Sequence, residues 1–251
     1  MWSVRLALRR LVPAEVRLQI SRTRNYANRR RKGQQRRLAR KSSTRFHEAV
    51  QMTVSQPIFK TELSANKIQN LKRAAAEIDE VVVPPDKIFS FWNIVPRPTK
   101  ANGFSEGRSL IDGELVGEFG GGLCQLSGII YHVSLLAGLN CLERHAHSVD
   151  LYTEETRFAP LGTDAMVVYG YKDLLVENTL PSPLKFELDI EENSLTCRLL
   201  CASEIERVEL STEVQVCAHG KHVFVKRVAV NGLSEIISDD FYRSPIDRPT
   251  A

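Results

Sequence analysis

Residues 118–139 read EFGGGLCQLSGIIYHVSLLAGL and decide the fold around them. The three glycines at positions 120–122 are unfavourable in a helix interior, because glycine gives up more backbone freedom on folding than any other residue. Beyond them, apolar residues recur at helical spacing at positions 123, 126, 130, 133 and 137. The pattern predicts a helix that begins close to Cys124 and ends near Gly138, where a left-handed C-terminal cap is expected.

Strand and turn patterns surround this helix. Residues 108–111 and 114–117 flank Asp112-Gly113, a pair that supplies the positive φ angles of a two-residue hairpin turn. A helix capped by Ser64 is predicted through residue 80, and residues 87–95 read as a strand or a tight apolar loop. Further strands are predicted at residues 140–151, 165–171, 173–178, 184–190, 194–201, 208–216 and 222–230, before a frayed tail at residues 241–251.

These elements indicate one α+β fold: an antiparallel-rich sheet with a few helices, the central one starting at the glycine-rich loop. Charge divides the chain unevenly, because residues 1–45 contain 15 Lys and Arg against the single acid Glu15, a net +14. Since the whole chain carries +4, residues 46–251 carry −10. We therefore expect a basic arm at residues 1–45, flexible or helical, a main domain at 46–205, and a C-terminal β-hairpin extension and tail at 206–251.

Two interpretations of the basic arm stay open. It is a solvated or mobile segment, or it tethers the protein to phosphate groups of an anionic membrane surface or a polyanion. Tyr26 is the single aromatic residue of residues 21–45, so base stacking has little to work with and nucleic acid is a poor candidate partner.

The sequence also bears on compartment. The opening MWSVRLALRRLVP is interrupted by arginines before an apolar run is long enough for a signal peptide, and no other stretch reads as a membrane span. The expected location is the cytoplasm, with attachment to the inner membrane surface as an extension of the tether hypothesis. Five cysteines without regular spacing fit reduced thiols better than a disulfide framework.

Cys124 is the strongest candidate for chemistry. It follows a glycine run at the start of an apolar helix, where unpaired backbone N–H groups and the helix dipole favour a thiolate. Gly121 and Gly122 let a substrate carbonyl approach the backbone amides, and Gln125 lies in the same turn, so these three are candidate substrate-binding residues. The alternative is that Cys124 is a small buried hydrophobic residue.

A general base is expected from the segment ERHAHSVD. On the strand predicted there, His145 and His147 would share one face, roughly 6.6 Å apart, and only one could bond the sulfur. Asp164 and Asp173 each lie near a predicted strand end and are candidates to orient the imidazole, with Asp164 preferred. Arg144 is a candidate for binding a substrate carboxylate, or else an ordinary ion-pair partner.

Other roles were weighed for the remaining histidines and cysteines. His132 lies eight helical residues beyond Cys124, so packing or surface exposure is expected, and His219 and His222 should face solvent at a hairpin. Zinc is a weaker hypothesis, because no CxxC or HxxxH spacing accompanies Cys124 and the two histidines, and no metal or other cofactor is expected. Cys141, Cys197, Cys201 and Cys217 are expected to pack in the core or at its edge.

Several linked motifs resemble the VanW family. They are FSFWNIV, GRSLIDGELVGEFGGGLCQLSGIIYHVSLLAGL, ERHAHSV and PLGTDAMVVYGYKDLLVENTLPSPL, and they span roughly residues 89–200, with weaker similarity from about residue 50. The resemblance is to a short, stand-alone form of the family, which is named after an accessory protein of vancomycin-resistance clusters. Its GGGxCQ and ERHxHS motifs fall on Cys124 and on His145 and His147.

The resemblance implies a function, because some members look like L,D-transpeptidases that use a cysteine on peptidoglycan peptides. The leading hypothesis is therefore a cysteine-dependent acyl transferase or hydrolase acting on peptidoglycan-type peptides or a precursor. The alternative is a non-catalytic binding or scaffold protein linked to the cell envelope or to glycopeptide resistance, with the glycine loop and histidines shaping a recognition pocket.

Overall fold

A computed structural model describes residues 12–42, 49–59, 62–111, 114–150, 157, 159–228 and 234–244, with backbone alone at 108–111 and 114–116. Its main layer is a four-stranded antiparallel sheet of β1 (Ala49–Pro57), β9 (Ser194–Cys201), β8 (Leu184–Ile190) and β2 (Val82–Val83), in that order. Alternate side chains along β8 are buried, as expected of a strand with one face on the core. The α+β prediction is confirmed.

Two helices cover the inner face of this sheet. Helix α2 (Ser64–Ile78) packs on β8, and helix α4 (Leu123–Leu136) packs on β1, β9 and α2. Ten residues of α4 are buried, so this helix runs through the core. The predicted helix around Cys124 is confirmed, and so is its cap, because Gly138 adopts φ +69° and donates its N–H to the Leu135 carbonyl at 3.0 Å.

A second sheet lies beside the first and leads into the site. It joins β3 (Ile88–Ser90), β7 (Leu175–Glu177) and β6 (Asn140–Glu143), and a one-turn helix, α3 (Phe91–Ile94), follows β3 directly. Ser90 starts α3 by accepting a hydrogen bond from the Asn93 N–H at 3.2 Å. The predicted hairpin is confirmed as β4 (Glu106–Ile111) and β5 (Glu114–Phe119), while its turn, Asp112-Gly113, lies outside the described residues.

The C-terminal extension is a three-stranded sheet of β10 (Glu209–Cys217), β11 (Gly220–Val228) and β12 (Ser234–Arg243). It joins the body through bonds from the Val208 N–H to the Leu136 carbonyl and from the Arg243 N–H to the Ser148 carbonyl. Residues 241–243 are therefore part of a strand, and the prediction of a frayed tail is wrong for them. Residues 229–233 and 245–251 lie outside the described residues.

The basic arm contains helix α1 (Ala14–Arg31), which is docked on the body. Ser21 and Asn25 both donate hydrogen bonds to the Gly170 carbonyl, at 2.7 and 3.1 Å. Leu18 is buried, and Arg29 forms a salt bridge with Asp173 at 2.9 Å. The helical interpretation of the arm is thus the one observed for residues 14–31, with its inner face held by polar contacts.

One predicted strand is too long, a second is wrong, and one helix is shorter than predicted. Of residues 140–151, β6 covers only the first four, and residues 144–147 are irregular. Residues 165–171 are likewise irregular apart from one bridge between Val168 and Lys172. The backbone of both segments is bonded across the site instead of along a ladder, for example from the Met166 N–H to the His145 carbonyl at 2.7 Å. Helix α2 ends at Ile78 with no side-chain cap from Ser64, which is its first residue.

Candidate active site

Helix α4 presents Cys124 on its first turn. Gly122 precedes the helix with φ +100°, and a Cβ added there would lie 2.7 Å from Cγ of Lys67, so both conformation and space require glycine. The Cys124 side chain is half-buried, and its Sγ–H donates to the Val167 carbonyl at 3.6 Å. The local sequence therefore delivers a thiol, partly open to solvent, at the positive end of a 14-residue helix.

The first turn of α4 also presents a backbone donor. The Leu123 and Gln125 N–H groups bond the Gly120 and Gly122 carbonyls, at 3.3 and 2.9 Å. For the Cys124 N–H, no backbone acceptor is found among the residues that the structure describes. An amide so placed beside the sulfur is available to an oxyanion on a substrate carbonyl.

His147 lies between Cys124 and Asp164. Its Nδ1 is 2.5 Å from Oδ2 of Asp164, and its backbone N–H donates to the same oxygen at 2.9 Å. On its other side the imidazole faces Cys124, closely enough for the sulfur to raise the pKa of the ring. The structure thus brings together three of the predicted site residues in the order sulfur, imidazole and carboxylate.

The surroundings of His147 favour its charged form. Burial alone would lower the pKa of His147, but the hydrogen bonds with Asp164 and with Cys124 outweigh it and raise the pKa to about 10. The imidazolium is therefore the ground state at neutral pH, and it faces the sulfur. A cation in this position is suited to assist a nucleophilic sulfur.

Asp164 is fixed by two further residues. Arg144 donates to Oδ1 of Asp164 at 3.0 Å and to its backbone carbonyl at 2.6 Å, and the Tyr242 hydroxyl donates to the same Oδ1. Burial would raise the pKa of Asp164, but the hydrogen bond from His147 and the charge of Arg144 hold it well below its usual range. Asp164 is therefore a carboxylate that fixes the orientation of the ring.

Three other sequence candidates lie elsewhere. Residues 145 and 147 are not on one strand face, and the His145 ring bonds the Glu143 carboxylate at 3.3 Å instead of the sulfur. Asp173 is buried among other partners, accepting from Ser90 at 2.7 Å as well as from Arg29. His132 is largely buried, and burial lowers its pKa to about 4.

Arg144 does not take the place predicted for a substrate ligand. Its side chain is 7% exposed, and it is engaged by the carboxylates of Asp164 and Asp240 and by the Gly162 carbonyl. The guanidinium is thus bonded to protein groups, and its role is to hold Asp164 in place. The ion-pair alternative expected for Arg144 is therefore the one observed, with Asp164 and the distant Asp240 as its partners.

Of the three predicted substrate-binding residues, Gly121 has a structural contact, whereas Gly122 and Gln125 line the cavity. The Gly121 carbonyl accepts a hydrogen bond from the buried Asn70 at 3.1 Å, which anchors the loop to α2. Gln125 donates to the Pro57 carbonyl at 2.8 Å and, like Gly122, lines the cavity.

The thiol and the imidazole open into a cavity of about 650 Å³. Helix α1 contributes Ala14, Glu15 and Leu18 to its wall, so the basic arm is part of the site. Apolar and aromatic side chains make up much of the remaining lining, including Trp92, Pro98, Leu161, Met166, Val167 and Tyr169. A cavity of this size and lining, with a few convergent polar groups, is typical of a small-molecule or peptide site.

Sequence reasoning missed Tyr242, Lys67 and helix α1 as parts of the site. Tyr242 falls in the segment interpreted as a tail, which offered no local signal. Lys67 did carry one, because it precedes Leu71 and Ala74 at helical spacing and so lies on the buried stripe of α2. A lysine on such a stripe indicates a special environment.

The remaining thiols and metal-binding groups of the described residues are accounted for as follows. Burial raises the pKa of Cys141 to about 12 and raises that of Cys197 still further, which disfavours thiolates there. Cys201 is buried, whereas Cys217 is exposed. Within the described ranges, no group of three or more His, Cys, Asp or Glu side chains is placed to hold a metal ion. No described helix is both long and apolar enough to span a membrane.

Comparison with known proteins agrees with the motifs at this site. The family described as VanW like protein matches residues 66–200, slightly more than half of the chain. The chain belongs to the VanW family. Cys124, His147, Asp164 and Lys67 all lie within the VanW match, whereas α1 and Tyr242 lie outside it.

Two curated relatives match part of this chain. The Vancomycin B-type resistance protein VanW of Enterococcus faecalis is 34% identical over 113 residues, covering 45% of this chain and 41% of the relative. The uncharacterized protein YoaR of Bacillus subtilis is 32% identical over 123 residues, covering 48% of this chain and 39% of YoaR. The match thus spans about two fifths of each relative's length. No solved structure matches the chain significantly.

Proposed function

We propose that this VanW family protein is a cysteine-dependent acyl transferase or hydrolase, similar to an L,D-transpeptidase, that acts on peptidoglycan-type peptides. The observation that carries the proposal is the line of Cys124, His147 and Asp164 at the wall of an accessible cavity. Nucleophile, base and orienting acid in hydrogen-bond contact are the arrangement that covalent acyl transfer requires. The substrate class follows from the family, one of whose members is named for vancomycin resistance.

The proposed first half-reaction uses the ion pair of thiolate and imidazolium. The Cys124 thiolate attacks a peptide carbonyl, forming an S–C bond while the carbonyl π electrons move to oxygen. The oxyanion is stabilised by the Cys124 N–H and by the positive end of α4. As the tetrahedral intermediate collapses, the C–N bond breaks, and the departing amine takes the proton of His147, leaving a thioester on Cys124 and a neutral imidazole.

The second half-reaction reverses the proton movement. An acceptor amine attacks the thioester carbonyl and gives a proton to His147, and the C–S bond breaks to release Cys124 as thiolate. The product is a new peptide bond, and water in place of the amine gives hydrolysis. Asp164 remains ionised throughout, because its role is to orient the ring and to stabilise the imidazolium.

The direct test is to trap the acyl-enzyme. The full chain is incubated with a panel of peptidoglycan-type stem peptides without an acceptor amine, and intact-protein mass spectrometry is expected to detect an acyl adduct on Cys124. Hydroxylamine should release the adduct, since it cleaves thioesters. The Cys124→Ala variant should form none, and Cys217→Ser, which removes an exposed thiol outside the cavity lining, should acylate as the parent does.

The proposal would be overturned if no peptide of the panel formed a thioester and if the Cys124→Ser variant kept full cellular function. That result would favour a non-catalytic protein that uses the same cavity for recognition.

A further inference from the structure

The charged side chains that line the cavity are mostly paired. Arg97 bonds Glu15 through both guanidinium nitrogens, at 3.0 and 2.9 Å. Asp150 bonds Arg157 at 2.8 Å and also Lys221 at 3.3 Å. With Asp164 bound to His147, the charges that have no described partner among the lining residues are those of Lys67 and Glu118.

Lys67 is half-buried beside the thiol-bearing turn. Its stem runs along Gly122, since a Cβ on that glycine would meet Cγ, Cδ and Cε of Lys67 within 3.5 Å. Gly122 is two residues before Cys124. Lys67 and Cys124 both line the cavity, so the ammonium group belongs to the same site as the nucleophile. Glu118, by contrast, is exposed on β5, and partial burial of its carboxyl raises its pKa, which disfavours a negative charge there.

An ammonium group in this setting lacks a counter-charge. Burial lowers the pKa of Lys67, and no acid among the described residues offsets that effect. Removing a cation from water without pairing it is unfavourable, and a substrate anion would remove the penalty. The N-terminus of α4 and the imidazolium of His147 add positive potential in the same part of the cavity.

We propose that Lys67 binds a carboxylate of the acyl donor, next to the carbonyl that Cys124 attacks. The inference rests on the proposed function, in which the acyl donor is a peptide. In a peptide donor, the small anionic group close to the reacting carbonyl is a carboxylate. Lys67 would then act as a specificity-determining residue that selects acidic donors over their neutral amides. Its side chain contributes one point charge, which suits a small anion approaching from the cavity.

Two alkylating reagents of similar size test this charge selectivity. Iodoacetate and iodoacetamide both alkylate a thiolate with loss of iodide, but only iodoacetate carries a carboxylate. The ratio of their rate constants at Cys124 is measured by site-resolved mass spectrometry on the full chain. In Lys67→Met the ratio of iodoacetate to iodoacetamide should fall by about threefold to tenfold, since a nearby cation is lost. Lys67→Arg should retain most of it.

Matched controls separate local from general charge effects. Met keeps the stem that packs on Gly122, and Lys72→Met removes an exposed lysine from the same helix and should leave the ratio unchanged. Cys217 is an internal reference, because it is exposed and lies on β10. In the parent protein, added salt should screen the charge of Lys67 and lower the iodoacetate-to-iodoacetamide ratio at Cys124 towards the ratio at Cys217. This test requires no variant.

The outcomes are distinguishable from failure of the proposed function. An unchanged ratio in Lys67→Met, or a ratio at Cys124 equal to that at Cys217 in the parent at low salt, would overturn the role of Lys67. Loss of Cys124 reactivity towards both reagents alike would instead count against the nucleophile itself.

Discussion

Arg144 is the residue on which the polar cluster behind the thiol depends. Its side chain is 7% exposed and contacts two carboxylates, those of Asp164 and Asp240. It also stacks over the Tyr131 ring, with its guanidinium carbon 5.2 Å from the ring centroid. Removing the guanidinium would take away the cation that pairs with Asp240 and leave Asp164 with His147 as its one remaining cationic partner among the described residues.

We therefore expect Arg144→Met to lower the free energy of unfolding by about 3–5 kcal/mol, because one partner of a buried ionic network is lost. Urea unfolding followed by circular dichroism measures the change. The matched control is Arg198→Met, which removes an exposed pair with Glu187 and should change the free energy of unfolding far less. Equal, small losses in both variants would contradict the assignment of Arg144 as a support for the site.

At the residue scale, the sequence was informative wherever the signal was local. Cys124 follows directly from a glycine run at a helix start, and Asp164 was one of two acids near predicted strand ends. The sequence could not decide that His147 and not His145 meets the sulfur, because that depends on the irregular course of residues 144–147. The contact of Arg144 with Asp240 and that of Tyr242 with Asp164 could not be predicted, since the two residues of each pair lie far apart in the chain.

At the scale of elements, the least expected feature is the docking of α1 against the loop at Gly170. That glycine has φ +77°, and a Cβ there would lie 2.4 Å from Cδ1 of Leu18 and 3.0 Å from Cγ of Arg22. Leu18 also lines the cavity. The contact that holds α1 on the body therefore also forms part of the cavity wall.

Gly170→Ala should consequently loosen α1. The left-handed conformation costs a non-glycine residue about 1–2 kcal/mol, to which the clash with Leu18 adds. We expect amide exchange of residues 14–31 to quicken by about tenfold while β8 and β9 are unaffected. Hydrogen exchange with mass spectrometry measures this, and Gly117→Ala, where an added Cβ meets nothing within 4 Å, is the control. Unaltered exchange in α1 would show that the close contact does not hold the helix.

The elements that the sequence predicted correctly are those with local codes. Helix α4 has its glycine start, its apolar stripe and its glycine stop, and the β4–β5 hairpin has Asp-Gly at its turn. Residues 140–151 and 165–171 have β propensity, yet contacts such as that of the His147 N–H with Asp164 take their backbone out of the ladder. Tertiary bonds of this kind are invisible to a periodicity argument.

At the scale of the whole molecule, the site joins parts of the chain that are distant in sequence. Helix α4, the loops after β6 and before β7, helix α1 and strand β12 all contribute. The sequence predicted the α+β class and the central helix, but the convergence of these parts depends on packing between sheets. It could not be predicted from one sequence, because no local pattern encodes such distant contacts.

The ionisation of His147 should link this convergence to global stability. Its pKa is raised from 6.5 to about 10 on folding, so the stability it contributes is fully present below about pH 6.5 and is lost as the pH rises towards 10. The free energy of unfolding should therefore fall more steeply between pH 7 and pH 10 in the parent than in His147→Gln. Urea titrations across that range provide the comparison, and parallel pH profiles would refute the raised pKa.

The central claim is that His147, kept cationic by Asp164, activates Cys124 as the nucleophile. The measurement is the rate constant of iodoacetamide alkylation at Cys124 as a function of pH, with Cys217 as the reference thiol in the same molecule. We predict that at pH 6 Cys124 reacts faster than Cys217 by about tenfold or more, and that His147→Gln abolishes this advantage while the two proteins converge near pH 10. A Cys124 rate at pH 6 that equals the Cys217 rate and does not respond to His147→Gln would contradict the account.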